Sequence, residues 1–227
     1  VAEVSYNDRG RWPAGADGAG HSIALRSPWI EVDDPDSWSL SREMGGSPGA
    51  PNGPGEPRYD DTLLIAIGDA WDYLKGTAPP PAGWSGLGFD SGSWPSGPTG
   101  IGYGDNDDAT VLSDMEDSYM TVFCRKEFPV ADPAAVESLI LAITYDDGFY
   151  AYLNGTLVAS RNVKGTGYNV DADQAIEPTL EEFDLSEHKG LLIEGGNVLA
   201  VQVHNADLGS SDLSFIPKLI SRKLLVT

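Results

Sequence analysis

Apolar and polar residues alternate in short runs along most of this chain, and almost no stretch carries the 3.6-residue period and end caps of a helix. Glycine and proline, 27 and 16 of them, stand between the runs and punctuate them as turns. The pattern predicts strands over Thr62–Ile67, Ala70–Leu74, Tyr119–Phe128, Ser138–Tyr145, Phe149–Leu153, Thr156–Ser160, Glu182–Leu185, Val198–His204 and Leu213–Ser221. Short strands at this spacing, joined by long loops, predict an all-β chain folded as a two-sheet sandwich.

The sharpest local signal lies in Phe149-Tyr150-Ala151-Tyr152-Leu153-Asn154-Gly155-Thr156-Leu157-Val158, where Asn-Gly supplies the two positive-φ residues of a type I′ hairpin turn. Punctuation is densest from Gly45 to Pro57, where prolines lack donors and glycines cost entropy, so a domain boundary is expected there. The expected organisation is a first β segment over 1–53, a Pro/Gly linker over 54–60, and a complete domain over 61–227. The segment from Gly76 to Asp117, rich in Gly, Pro, Trp and Asp, is longer than a compact domain keeps without a binding or ordering purpose.

Composition narrows the partners. With 227 residues and 41% hydrophobic content the chain buries a core unaided. Its 35 acidic against 14 basic residues give a charge of −21, which repels phosphate backbones and anionic lipid surfaces, so nucleic acid is not expected as a partner. The lone Cys124 excludes an intramolecular disulfide and reads as a small buried strand residue. No apolar run approaches bilayer length, so membrane insertion is not expected. The opening Val-Ala-Glu-Val-Ser-Tyr lacks the basic-then-apolar pattern of a signal peptide and reads as part of something longer.

Several residues invite chemistry. Asp105, Asp107 and Asp108 suggest calcium as a structural ion. Ala109 and Thr110 nevertheless depart from the helix-loop-helix calcium pattern, which leaves a looser β-loop site. Trp84, Trp94 and Tyr103 offer flat faces to sugar C–H groups; a hydrophobic plug holding the loop down is the plainer role for each. Asp147 ends a strand, where it caps a turn or meets a metal or sugar hydroxyl. His204 and Asn205, with Ser211 and Asp212, are placed to converge at one edge of the sandwich. No nucleophile elbow, zinc-hydrolase motif or second histidine at ligand spacing accompanies them, so no catalytic residue is assigned.

Trp12-Pro13, the run from Ala16 to Leu25, Ser37-Trp38 and Gly45 to Asn52 resemble the C-terminal end of a bacterial lamin-tail-like domain, an immunoglobulin-like fold. From about Asp61 onward the chain resembles a galactose-binding-like jelly roll of secreted bacterial multidomain proteins. That likeness rests on Phe89-Asp90, Trp94, Gly102 to Asp105, Tyr145 to Gly148, Tyr152 to Gly155, Gly195 to Val201, His204-Asn205 and Ser210 to Leu213. The resemblance implies a secreted or cell-surface, non-catalytic module that binds a polysaccharide or cell-surface glycan beside neighbouring domains of its parent chain. The alternative is a structural subunit of an extracellular filament or surface layer, self-assembling through an exposed strand edge. A hydrolase would need a polar cleft with carboxylates at catalytic separation.

Overall fold

The protein is described from a computed structural model, which covers residues 12, 21–25, 34–46, 58–104, 106 and 108–225. The chain divides into two compact units, Val1–Arg58 with Leu224–Thr227, and Tyr59–Lys223. In the first, β1 (His21–Leu25) and β2 (Trp38–Met44) pair antiparallel, with Ile23 opposite Leu40 and Leu25 opposite Trp38. The Trp12 and Trp38 rings lie 6.3 Å apart.

The second unit is a β-sandwich built from β3 (Arg58–Ile65), β4 (Ala70–Lys75), β5 (Ser96–Pro98), β8 (Thr121–Val130), β9 (Ser138–Asp146), β10 (Gly148–Leu153), β11 (Thr156–Arg161), β12 (Thr179–Asp184), β13 (Gly195–His204) and β14 (Ser214–Leu225). Two short strands, β6 (Ile101–Gly102) and β7 (Thr110–Val111), pair parallel to each other. One sheet has the order β11-β10-β13-β8-β4-β5, the other β12-β9-β14-β3. All nine predicted strands are present, shifted by a few residues at their ends, and the chain is all-β with a jelly-roll sandwich architecture. β3 begins at Arg58, so the last three residues of the stretch expected as linker, 58–60, lie in a strand beside β14.

Side chains alternate across a strand, and the inward set builds the core. Val122, Cys124 and Phe128 of β8, Leu199, Val201 and Val203 of β13, and Phe149, Ala151 and Leu153 of β10 meet Leu139, Leu141, Ile143 and Tyr145 of β9 and Phe215 and Leu219 of β14. Cys124 is fully buried among them, and burial pushes its thiol well above the usual range, as fits an inert core residue. The hairpin turns at Asn154 and Gly155, whose φ values of 51° and 88° are the pair that a type I′ turn requires. Asn154 also anchors the turn: its Nδ2 donates to Leu191 O at 2.8 Å, and its Oδ1 accepts from Val198 N at 2.8 Å.

At one side the two sheets are clasped through their edge strands. Arg161 of β11 donates from Nε and Nη2 to Glu181 Oε2 of β12 at 3.0 and 2.6 Å, and the Tyr145 hydroxyl donates to the other oxygen. The hydrogen bond from Arg161 holds the Glu181 carboxyl below its ordinary range. A depressed folded-state value means that the stabilisation is complete above the unfolded-state value, about 4.3, and is lost as pH falls through the lower folded one. Glu181→Gln is therefore expected to flatten the acid limb of stability against pH, read from urea midpoints between pH 7 and pH 3. Equal slopes in the two proteins would remove the clasp from the explanation.

Candidate functional site

Strict alternation predicts that every second residue of a sandwich strand faces water. β8 breaks that rule: Thr121 to Arg125 are all buried, and in β13 everything from Asn197 to His204 is. The cause is that loops roof the outer face of the six-stranded sheet. Loop backbone without a ladder has carbonyls to satisfy, and outward polar side chains of the sheet satisfy them.

Arg125, 1% exposed, donates from Nη1 to Trp84 O at 3.1 Å and Gly86 O at 2.8 Å, and from Nη2 to Phe89 O at 3.2 Å. These bonds hold the first roof, residues 76–98. Thr121 Oγ1 donates to Tyr168 O at 2.7 Å, Gln202 Nε2 to Thr166 O and Gly167 O at 3.3 Å each, and His204 Nδ1 to Val170 O at 2.8 Å. These hold the second roof, residues 162–176. A backbone carbonyl only accepts, so His204 carries its proton on Nδ1. Burial moves the His204 titration below its ordinary value, which keeps the ring neutral.

Where the first roof meets β4 and β8 it leaves an open cleft of about 350 Å³, lined by Ala70, Asp72, Phe89, Asp90, Ser91, Arg125, Lys126 and Glu127. Register places Asp72 opposite Arg125, so the two side chains share the outer face. Ser91 Oγ donates to Asp72 Oδ2 at 2.7 Å, and Asp90 Oδ1 accepts from Gly92 N at 2.9 Å. Glu127 Oε1 accepts from Arg125 Nη2 at 3.0 Å, while Lys126 Nζ donates to Ala70 O at 2.9 Å. Phe89 forms an aromatic wall, with the Arg125 guanidinium 5.7 Å from its ring centre and the Trp94 ring centre 5.6 Å away. A second cleft, about 270 Å³, lies on the four-stranded sheet between Ser138, Ile140, Glu182, Asp184 and Arg222.

The residues singled out from the sequence fall into three groups. Trp84 and Trp94 lie in the first roof, half-buried and stacked at 6.5 Å; Trp84 packs edge-on against Phe123 at 5.0 Å and Tyr152 at 5.8 Å. Trp84 therefore plugs the loop onto the sheet. Tyr103, Asp147, His204, Asn205 and Asp212 do converge at one end of the sandwich, but as a buried polar knot. The Asn205 nitrogen faces Asp212 O at 3.0 Å, Asp147 Oδ2 at 3.2 Å and Ser210 Oγ at 3.2 Å, and its oxygen faces the Tyr103 hydroxyl at 2.9 Å. Asp147 Oδ1 accepts from Ile176 N at 2.7 Å, and Oδ2 accepts from Ala206 N. Asp147, His204 and Asn205 are each at most 2% exposed and Tyr103 is 6% exposed, so this knot pins loops and offers no surface to a ligand. That corrects the expected role of these four as ligand contacts, while Asp212, which joins the knot through its backbone oxygen, stays half-exposed; the physical reason is that chain reversals at a sandwich end leave backbone N–H groups only side chains can satisfy.

The third group is the acidic loop. Asp105 and Asp107 lie outside the described residues. Asp108 is half-buried, its two carboxylate oxygens lying against Gly100 and Gly102, where an added Cβ would meet them at 2.7 Å each. Among the described residues no cluster of three His, Cys, Asp or Glu side chains has the spacing to hold a metal ion.

The cleft residues Asp72, Ser91, Arg125, Lys126 and Glu127 were not signalled by motif. Arg125 opens the charged run Arg125-Lys126-Glu127 within a strand, which reads as a wet face and gives no sign of burial.

No protein-family model and no curated protein matches the chain. Among solved structures it is similar to a β-glucuronidase of Bacteroides uniformis, at 17% identity over 72% of this chain and 18% of that one, with a TM-score of 0.48. A glycosyl hydrolase family 2 member from Bacteroides cellulosilyticus matches at 17% identity over 71% of this chain and 20% of that one, with a TM-score of 0.46. A β-glucuronidase of Bifidobacterium dentium, complexed with coumarin-3-O-glucuronide, matches at 20% identity over 63% of this chain and 20% of that one, with a TM-score of 0.42. The likeness is one of β-sandwich fold, and this chain spans about a fifth of each of those proteins. It corrects one expectation. The three solved structures named here are glycosidases, which stands against the expectation of a non-catalytic, non-enzyme module.

Proposed function

We propose that this chain is a saccharide-contacting β-sandwich domain of a larger extracellular carbohydrate-active protein, with the sugar seated in the cleft between the first roof and strands β4 and β8. The observation that carries the reading is the make-up of that cleft. Asp72, Asp90, Glu127 and Lys126 line the same cleft as Phe89, which is the combination of hydrogen-bonding groups and flat apolar face that sugar hydroxyls and C–H groups match. The resemblance of residues 1–53 to the end of a lamin-tail-like domain belongs to the same reading, as one neighbour within the parent protein. Among the described residues no helix is long and apolar enough to cross a membrane.

The test is affinity electrophoresis through a panel of soluble polysaccharides, with calcium and with a chelator, while reducing-sugar release is followed for turnover. Retardation by at least one polysaccharide is expected. Removing two acceptors in the Asp90→Ala, Glu127→Ala double variant should weaken it about thirtyfold, at roughly 1 kcal/mol per hydrogen bond. No retardation anywhere, or equal retardation of the variant, would exclude the cleft as a sugar site.

A further inference from the structure

The unspent hydrogen-bonding groups of the cleft, which rests on the reading just given, separate one class of sugar from another. Arg125 has five N–H donors, and four are already committed, to the carbonyls of Trp84, Gly86 and Phe89 and to Glu127. Only Nε–H, deeply buried, finds no acceptor among the described residues. The bidentate fork with which arginine grips a carboxylate or sulfate is thus spent on holding the roof. Lys126 gives one of its three N–H groups to Ala70 O at 2.9 Å, and its charge is offset by Asp69 Oδ2 at 3.8 Å.

Acceptors, by contrast, are in surplus. Asp72 Oδ1, Asp90 Oδ2 and Glu127 Oε2 have no partner among the described residues, while the other oxygen of each is used once. With Asp69 included, the formal charge around the cleft is four carboxylates against two cations. An anionic ligand arriving here meets like charge and no free fork; a hydroxyl or ammonium donor meets three unspent carboxylate oxygens.

We infer that the cleft accepts neutral and amino sugars and refuses uronic and sulfated ones. The selection comes from which donors the roof consumes. Nothing else in the cleft supplies a cation: its remaining lining residues are Ala70, Phe89 and Ser91. The selectivity is electrostatic and short-ranged, so it weakens as salt is added.

The test is binding of three oligosaccharide probes of equal length, a neutral β-glucan, a glucosamine oligomer and a galacturonic acid oligomer, to the full chain at 50 mM and 500 mM salt. The expected order is glucosamine, then glucan, then galacturonate, with the spread narrowing at high salt. Neutralising two acceptors in D90N/E127Q should compress the ratio of glucosamine to galacturonate binding by about tenfold. A control, E182Q/D184N, removes the same charge from the other sheet face and should leave that ratio within about twofold, since those carboxylates lie outside the cleft. Binding of galacturonate as tightly as of glucan overturns the inference while sparing the sugar site. Equal compression by both double variants overturns it too, because general attraction to an acidic protein would then explain the order. Failure of all three probes to bind overturns the sugar site itself. Because Glu127 Oε1 accepts from the buried Arg125 and Asp184 Oδ1 from Ser186 N, each double variant is expected to lose about 1 kcal/mol, roughly 2–4 °C in melting temperature, and a single cooperative melt at that cost establishes that folding is not the variable.

Discussion

Arg125→Met is expected to cost about 3 kcal/mol of stability and to release the loop 76–98 from the sheet. The substitution keeps the length and apolar stem of the side chain, so the loss is of donors. Three carbonyls, those of Trp84, Gly86 and Phe89, lose their partner at once, which leaves the middle of the roof tied to the sheet by Ser91 Oγ to Asp72, while its ends stay held by Gly76 N to Thr121 O and by the β5 ladder to β4. Trp84 then has only its contacts with Phe123 and Tyr152 to keep it down. For a domain of this size about 3 kcal/mol corresponds to a fall in melting temperature of roughly 10 °C. Limited proteolysis locates the effect: cleavage should appear first between residues 76 and 98. An unchanged melting temperature with that loop still protected would show that the roof is held by its aromatic contacts and not by the guanidinium. Because the cleft is bounded by this roof, sugar binding should be lost in parallel.

The second large effect is expected from Asp147→Asn. The carboxylate accepts from Ile176 N on one oxygen and from Ala206 N and the Asn205 amide on the other. Asparagine has the same shape, but whichever way its amide turns, an NH₂ group faces an N–H group across a buried contact. Desolvated donors facing donors cost about 2–3 kcal/mol, so the urea midpoint should fall with no change in slope. The loops ending at Ile176 and Ala206 should also lose hydrogen-exchange protection ahead of the core strands. If the variant keeps the parent midpoint, a water takes over the bond and the knot is less tightly closed than its distances indicate.

Both effects sit on residues whose roles were only partly legible beforehand. His204 and Asn205, with Ser211 and Asp212, were expected to converge at one edge, where loops from adjacent strands meet; the structure sets the Asn205 amide against Asp212 O, Ser210 Oγ and Asp147. What could not be read was which way they face. A polar residue at a strand end reads the same from sequence whether it points at solvent or at a loop folded back over it. Trp84 shows the converse: its role as a plug follows from the need of a long Gly-rich loop to bury something, and Phe123 and Tyr152 are what it buries against. Arg125 was passed over because an arginine in an alternating strand ordinarily marks the wet face.

By itself the sequence determined the strands, their alternation and the Asn154–Gly155 hairpin, because these depend on side-chain period and on backbone preferences acting over a few residues. It also determined the acidic charge. Only the tertiary structure decided that both faces of the six-stranded sheet are covered, that three of the Arg125 donors are spent on distant carbonyls, and that Asp72, Asp90 and Glu127 stand around one cleft. Those facts depend on where loops some 35 to 40 residues away in the chain come to rest, and no local pattern carries that information, since a loop carbonyl is the same acceptor wherever it lies.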